Sequence, residues 1–195
     1  MPTPIVPIGE PVLRARAAEV RAEEIATPKL QALFATMIAT MREAPGVGLA
    51  APQIGVPLRV IVLEDNDALM GRLTPAERRE RGRAPFGVRV LVNPVLLPVG
   101  GERATFFEGC LSVSGYVGLV ERHETVEVSG LDEHAQPVVW RVAGWPARIL
   151  QHEVDHVDGT IYVDRMLTRS FATAAAASAQ FGGKSIAEVR RLLGV

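Results

Sequence analysis

His152-Glu153-Val154-Asp155-His156 sets two imidazoles four residues apart, with an acid beside the first. On a helix this spacing brings both rings to one face, one turn apart, where they can close on a single metal ion. Glu153 is then placed to take a proton from water held by that ion. The plain alternative is a surface helix with two solvated histidines. Trp145 and Ile149 argue against it, because they stand seven and three residues before His152 on the same face and point the histidines into an apolar pocket.

A catalytic metal needs a third protein ligand and one open position. After His156 the acids Asp158, Asp164 and Glu188 are unattractive, whereas upstream Cys110 stands in Glu108-Gly109-Cys110-Leu111-Ser112, directly after a predicted strand. It is the only cysteine of the chain. With no internal disulfide open to it, it is either an inert buried thiol or a chemically used one. Alone, the segment favours the buried turn, but the two histidines reverse that preference. A third cluster, Gly46-Val47-Gly48-Leu49-Ala50-Ala51-Pro52-Gln53, follows a predicted helix with small residues that let backbone approach backbone or ligand. It reads equally as a tight connection between helices. The Gln53 amide is a candidate donor to an oxyanion.

The elements that must position these groups are partly visible. Thr27-Pro28 is a helix-start pair, and Leu30, Leu33, Phe34, Met37, Ile38 and Met41 form one apolar stripe that ends near Ala44-Pro45-Gly46. Strands are predicted over 58–63, 88–97 and from 103 to 107, and a further strand over 120–128 is expected to pair with 137–142 as a hairpin. His123 and His134 fall in that hairpin, outside every motif. Residues 64–87 read as a polar surface excursion, with a short helix signal at Thr74-Pro75 and a charge run that is a solvated face. The motif helix should begin near Pro146 and stop near Gly159. A short strand is expected at Thr160-Ile161-Tyr162-Val163, followed by an alanine-rich stretch over 168–181 and a helix over 185–193.

At 195 residues and 48% hydrophobic content, the chain is expected to form a single catalytic domain over 1–195. Its 21 basic and 22 acidic residues provide no long-range field, so composition names neither nucleic acid nor an anionic membrane as a partner. No stretch is apolar enough to span a bilayer or act as a signal segment, and the protein reads as soluble and cytoplasmic.

Taken together and in order, GVGLAAPQ at 46–53, EGCLS at 108–112 and QHEVDH at 151–156 resemble the peptide deformylase family. The resemblance covers about residues 4–170 and includes GEPVLR, VNP at 92–94 and ARILQHEVDHVDGTIYVDRM. It implies an α+β fold with antiparallel sheets wrapped around the helix that carries the motif, plus a carboxy-terminal helix. The implied activity is removal of the formyl group from N-formylmethionyl nascent polypeptides at the ribosome, releasing formate. The roles it implies are metal ligation by Cys110, His152 and His156, general-base action by Glu153, and oxyanion donation by the Gln53 side chain and the Leu111 backbone N–H.

Val47, Phe106, Trp145 and Ile149 are expected to line the slot for the methionine side chain, each with core packing as its plain alternative. Gly48 and the Gly115-Tyr116 region are expected to pair with the substrate backbone. Ser114 departs from the proline common in the family. Arg122 and Asp155 are a candidate pair steadying the histidine helix. A thiolate with two imidazoles accepts Fe²⁺, Zn²⁺, Ni²⁺ or Co²⁺ without strong geometric preference. The resemblance favours ferrous iron and therefore oxygen sensitivity. The 64–87 insert looks most like a branch shared by some bacteria and by plant and animal organelles, and an amino terminus without a transit segment favours a bacterial chain. Two competing readings remain: an endopeptidase using the same motif, and a metal-binding interaction module without activity.

Overall fold

A computed structural model describes every residue except Pro45 and Arg72. After a short helix α1 (Ala22–Ile25), Thr27 caps α2 (Pro28–Glu43) by accepting the Leu30 N–H, and the predicted stripe buries Leu30, Phe34, Met37 and Met41. The expected stop at Ala44-Pro45-Gly46 agrees with the end of α2 at Glu43, although Pro45 itself lies outside the described residues. Strand β1 (Gly48–Ala50) and a 3-10 turn at Ala51–Ile54 carry the small-residue segment, and β2 (Val60–Asp65) follows.

The insert holds α3 (Asp67–Met70) and α4 (Pro75–Glu80). Next come β3 (Phe86–Pro98), β4 (Arg103–Cys110), β5 (Val113–His123), β6 (Thr125–Leu131) and β7 (Pro137–Ala143), then the motif helix α5 (Trp145–Val157). The chain closes with β8 (Ala172–Thr173), α6 (Ala174–Phe181) and α7 (Ile186–Leu193).

The strands form two sheets, ordered β1-β2-β3-β6-β7 and β4-β5-β8, and every pairing between them is antiparallel. Strand alternation decides which helix each face receives. Ile61, Leu63 and Leu91 pack with Ile149, Leu150 and Val154 of α5, while Val60, Val62, Val90 and Val92 pack with Phe34, Met37 and Met41 of α2. The larger sheet is thus covered on both sides, and α5 lies between it and the smaller sheet, with contacts to β1 and β5 alike. This is the α+β architecture expected for the sequence.

Three local expectations are corrected. The predicted strand over 120–128 breaks at Glu124 into β5 and β6, which belong to different sheets. The alternation runs on through the bend because Val120, Arg122, Val126 and Val128 are all buried, so the pattern hides the break. The Thr160–Val163 strand is instead the start of a 3-10 turn at Tyr162–Asp164, since the Asp164 carboxylate takes the Ile161 N–H that a strand would offer to a neighbour. The charge run of the insert is not simply solvated: Asp65 is 1% exposed and accepts a two-point contact from Arg83 at 2.6 and 2.9 Å. The expected carboxy-terminal helix is present as α7, and the alanine-rich stretch adds α6, the two divided at Gly182-Gly183.

Candidate metal centre and substrate cavity

Helix α5 begins after Gly144, whose positive φ of 67° and close approach to the Arg81 and Gly82 carbonyls leave no room for a side chain. From there Trp145, Ile149 and His152 descend one face, as the sequence predicts, and all three line a cavity of about 590 Å³. Val47, Gly48, Gln53, Cys110, Leu111, Gly115, Tyr116 and Glu153 also line it. Phe106 does not: its neighbour Phe107 does, while Phe106 packs edge-on against Trp145 and faces a second cavity. On β4, Phe106 shares the face of Glu108, which turns toward Trp145 and Arg148 of α5.

The ligating atoms of Cys110, His152 and His156 all lie within 4.8 Å of one another, and Cys110 Sγ is 3.3 Å from His156 Nε2. Donors set tetrahedrally about one ion at about 2.0–2.3 Å stand about 3.5 Å apart, so this set fits a divalent metal with little movement. The Nδ1 of His152 lies 3.0 Å from Glu108 Oε2, which turns its other nitrogen toward the cluster. His156 is fully buried, and its Nδ1 has no hydrogen-bond partner among the described residues.

Environment drives the two imidazoles apart. Burial opposes protonation of His152, but its hydrogen bonds to Cys110 and Glu108 and their charge outweigh burial and raise its pKa well above the usual histidine value. His156 is held well below that value by burial and then by the charge of His152. Glu153 is 4% exposed, and its Oε2 has no hydrogen-bond partner among the described residues. Burial above all pushes its pKa up to about 7.

Gln53 reaches the same cluster. Its Oε1 accepts the Ala50 N–H at 2.8 Å, which fixes the amide so that Nε2 points to Cys110 Sγ at 3.4 Å and Ser112 Oγ at 3.5 Å. Leu111 occupies the tight turn between β4 and β5.

Several supporting residues have no role in the sequence reading. Glu108 receives Arg122 at 3.0 and 2.9 Å, Arg148 at 2.6 Å and His152; burial works against its charge, but His152 and Arg122 overcome it and hold its carboxyl well below the usual range. The candidate pair Arg122 and Asp155 is present, and Arg165 joins it through two 2.7 Å contacts. Tyr162 stacks on His152 and donates its hydroxyl to the Tyr116 carbonyl, and burial pushes its pKa up to about 12. Ala68, Leu69 and Arg83 bring the insert into the cavity wall. Spacing signals existed for two of these: Arg148 is one helical turn before His152, and Glu108 is two strand positions before Cys110. His123 and His134 lie outside the cavity lining.

Residues 2–171 match the family model of polypeptide deformylase. The chain is 51% identical over 175 residues to peptide deformylase 1 of Streptomyces coelicolor, covering 90% of this chain and 78% of that one. It is 49% identical over 169 residues to the chloroplastic peptide deformylase 1A of Solanum lycopersicum, covering 87% of this chain. It spans 61% of that relative's length and 63% of the Arabidopsis thaliana counterpart. Among solved structures, the class I type b peptide deformylase of Acinetobacter baumannii with Met-Ala-Ser bound superposes with a TM-score of 0.75. That match has 38% identity and covers 85% of this chain and 99% of the other. With the histidine helix, the cysteine turn and the glutamine turn brought together in one cavity, this chain belongs to the polypeptide deformylase family.

Proposed function

We propose that this chain is a metal-dependent amide hydrolase that removes the formyl group from N-formylmethionyl peptides and releases formate. The observation that carries the reading is the cluster of three donors, Cys110, His152 and His156, beside the buried Glu153 carboxyl, whose Oε2 has no partner among the described residues. The Acinetobacter relative binds Met-Ala-Ser, the peptide that deformylation of formyl-Met-Ala-Ser would leave.

Cys110, His152 and His156 would hold one divalent ion, with Fe²⁺ as the physiological choice and Zn²⁺, Ni²⁺ or Co²⁺ as competent substitutes. When bound, such an ion supplies Lewis acidity, which makes water nucleophilic near neutral pH. Glu153 removes a proton from the attacking water and holds it on a buried oxygen with no competing partner among the described residues. Water oxygen adds to the formyl carbon, and the Gln53 Nε2 and Leu111 N–H meet the charge that develops on the carbonyl oxygen. Glu153 then gives its proton to the amine as the C–N bond breaks, leaving formate and a free amino terminus. Burial, which raises the pKa of this carboxyl, favours a group that must both accept and release a proton.

Val47, Trp145 and Ile149 would receive the methionine side chain. Among the described strands, β1 pairs only with β2 and β4 only with β5, so each presents an open edge at the cavity, beside Gly48 and Gly109. An extended peptide can bridge them by backbone hydrogen bonds, with Gly115 and Tyr116 at its far side. We place the activity on nascent chains in a bacterial cytoplasm and assign the whole chain to one catalytic unit. No described helix is long and apolar enough to cross a membrane.

Incubating metal-loaded protein with formyl-Met-Ala-Ser tests the reading by mass spectrometry. Deformylation leaves the tripeptide intact and yields equimolar formate, whereas a shortened peptide would instead support an endopeptidase.

A further inference from the structure

A second cavity of about 490 Å³ lies under α6 and α7 and against α4, floored by Phe106, Phe107, Phe181 and Ile186. It adjoins the first: Phe107, Val117 and Ala174 line both. The stacked rings of Phe107 and Phe181, with centroids 5.8 Å apart, form part of the floor. Its walls come from the insert and the alanine-rich tail, neither of which has a part in the chemistry above.

The open edge of β4 leads from one cavity to the other. A peptide paired along that edge advances residue for residue, about 3.3 Å at each step. With its first residue beside Cys110, the fourth or fifth therefore arrives beside Phe107 and Phe106. The edge is closed two residues beyond Phe106, where Arg148 takes the Ala104 carbonyl at 2.6 Å. A longer chain must leave the strand at that point, and the space beside it is the second cavity.

We propose that this cavity is a subsite for an apolar side chain at the fourth or fifth residue of the formylated substrate, extending recognition beyond the metal-side pocket. The proposal rests on the deformylase reading for its occupant, while the cavity is independent of it. Half-buried phenylalanines and Ile186 gain by burying an aliphatic or aromatic side chain. A tripeptide paired from Cys110 ends beside Glu108, short of Phe181 and Ile186.

The test compares formyl-Met-Ala-Ser with two formylated hexapeptides carrying either Phe or Gly at positions four and five, using the metal-loaded full chain. Ser178, exposed on α6, is changed to Trp to fill the cavity from its rim. The parent should show a KM about tenfold lower for the Phe hexapeptide than for the Gly hexapeptide. In S178W that difference should vanish while tripeptide kcat/KM stays within twofold. A Phe preference that survives S178W, or its absence in the parent, overturns the subsite.

If S178W loses tripeptide turnover through misfolding, Ser178→Met carries the same comparison. If the parent releases no formate from any peptide, the deformylase reading fails. The subsite is then judged by fluorescence anisotropy of labelled Phe hexapeptide alone: weaker binding to S178W supports it, and equal binding overturns it.

Discussion

The Glu153 carboxylate rests directly against the Cα of Gly48, so a methyl group there would stand 2.7 Å from Glu153 Cδ and 2.8 Å from its Cγ. The glycine of β1 thereby holds the proton-carrying group of α5 in place, and Gly48→Ala should act on catalysis more than on folding. A displacement near 1 Å at a reacting group costs about 100-fold in rate, so kcat should fall by about that factor with the metal content unchanged. Steady-state kinetics alongside metal analysis check this. A G48A protein with parental kcat would show that Glu153 tolerates movement.

Metal binding should stabilise the fold through the same residues. With free ion at about 1,000 times its Kd, mass action adds about 4 kcal/mol. Thermal melting with and without a chelator should therefore separate clearly for the parent and coincide for Cys110→Ala. An equal response of both proteins would remove Cys110 from the ligand set.

Glu153 links pH to the stability of the metal-free chain. Its folded pKa is raised from 4.5 to about 7, chiefly by burial. Its contribution is therefore fully present below about pH 4.5 and is lost as pH rises through 7. Glu153→Gln abolishes that loss. The variant should exceed the parent by on the order of 3 kcal/mol above pH 7 and approach it near pH 4. Urea unfolding at pH 8 and pH 4 measures both. A variant no more stable than the parent at pH 8 contradicts the cost of burying this carboxyl.

Glu108 should behave in the opposite sense. Its carboxyl is held well below the usual range against the cost of burial, so its stabilisation is present above about pH 4.5 and fades as pH falls. Glu108→Gln leaves Arg122 and Arg148 without their shared charge, and breaking a buried pair in this way costs about 3–5 kcal/mol. Loss of the contact to His152 Nδ1 should also weaken metal affinity by about 10–100-fold. Competition with a chromophoric chelator reads the second effect. Unchanged affinity would confine Glu108 to a structural role.

Much of the site is legible in the chain because its motifs are local. His152, Glu153 and His156 lie within five residues on one helix, so period alone puts them together. The helix-start signals at Thr27-Pro28 and Thr74-Pro75 are equally local, and both threonines cap helices. The split at Glu124 was hidden because a bend between sheets leaves burial alternation undisturbed. The place of Phe107 in the cavity wall was not legible because nothing in a strand's composition says which face meets which helix.

By itself the sequence determined the chemistry on offer: a histidine pair with its base, one thiol, and a glutamine among small residues, in an order that names the family. Tertiary structure decided what depends on distant segments meeting. It alone brought Gly48 against Glu153, sank the Glu108 carboxylate among Arg122, Arg148 and His152, and turned residues 64–87 from a solvated excursion into a cavity wall. Such contacts join residues up to about a hundred positions apart, and no local periodicity encodes them, because they follow from how two sheets close around one helix.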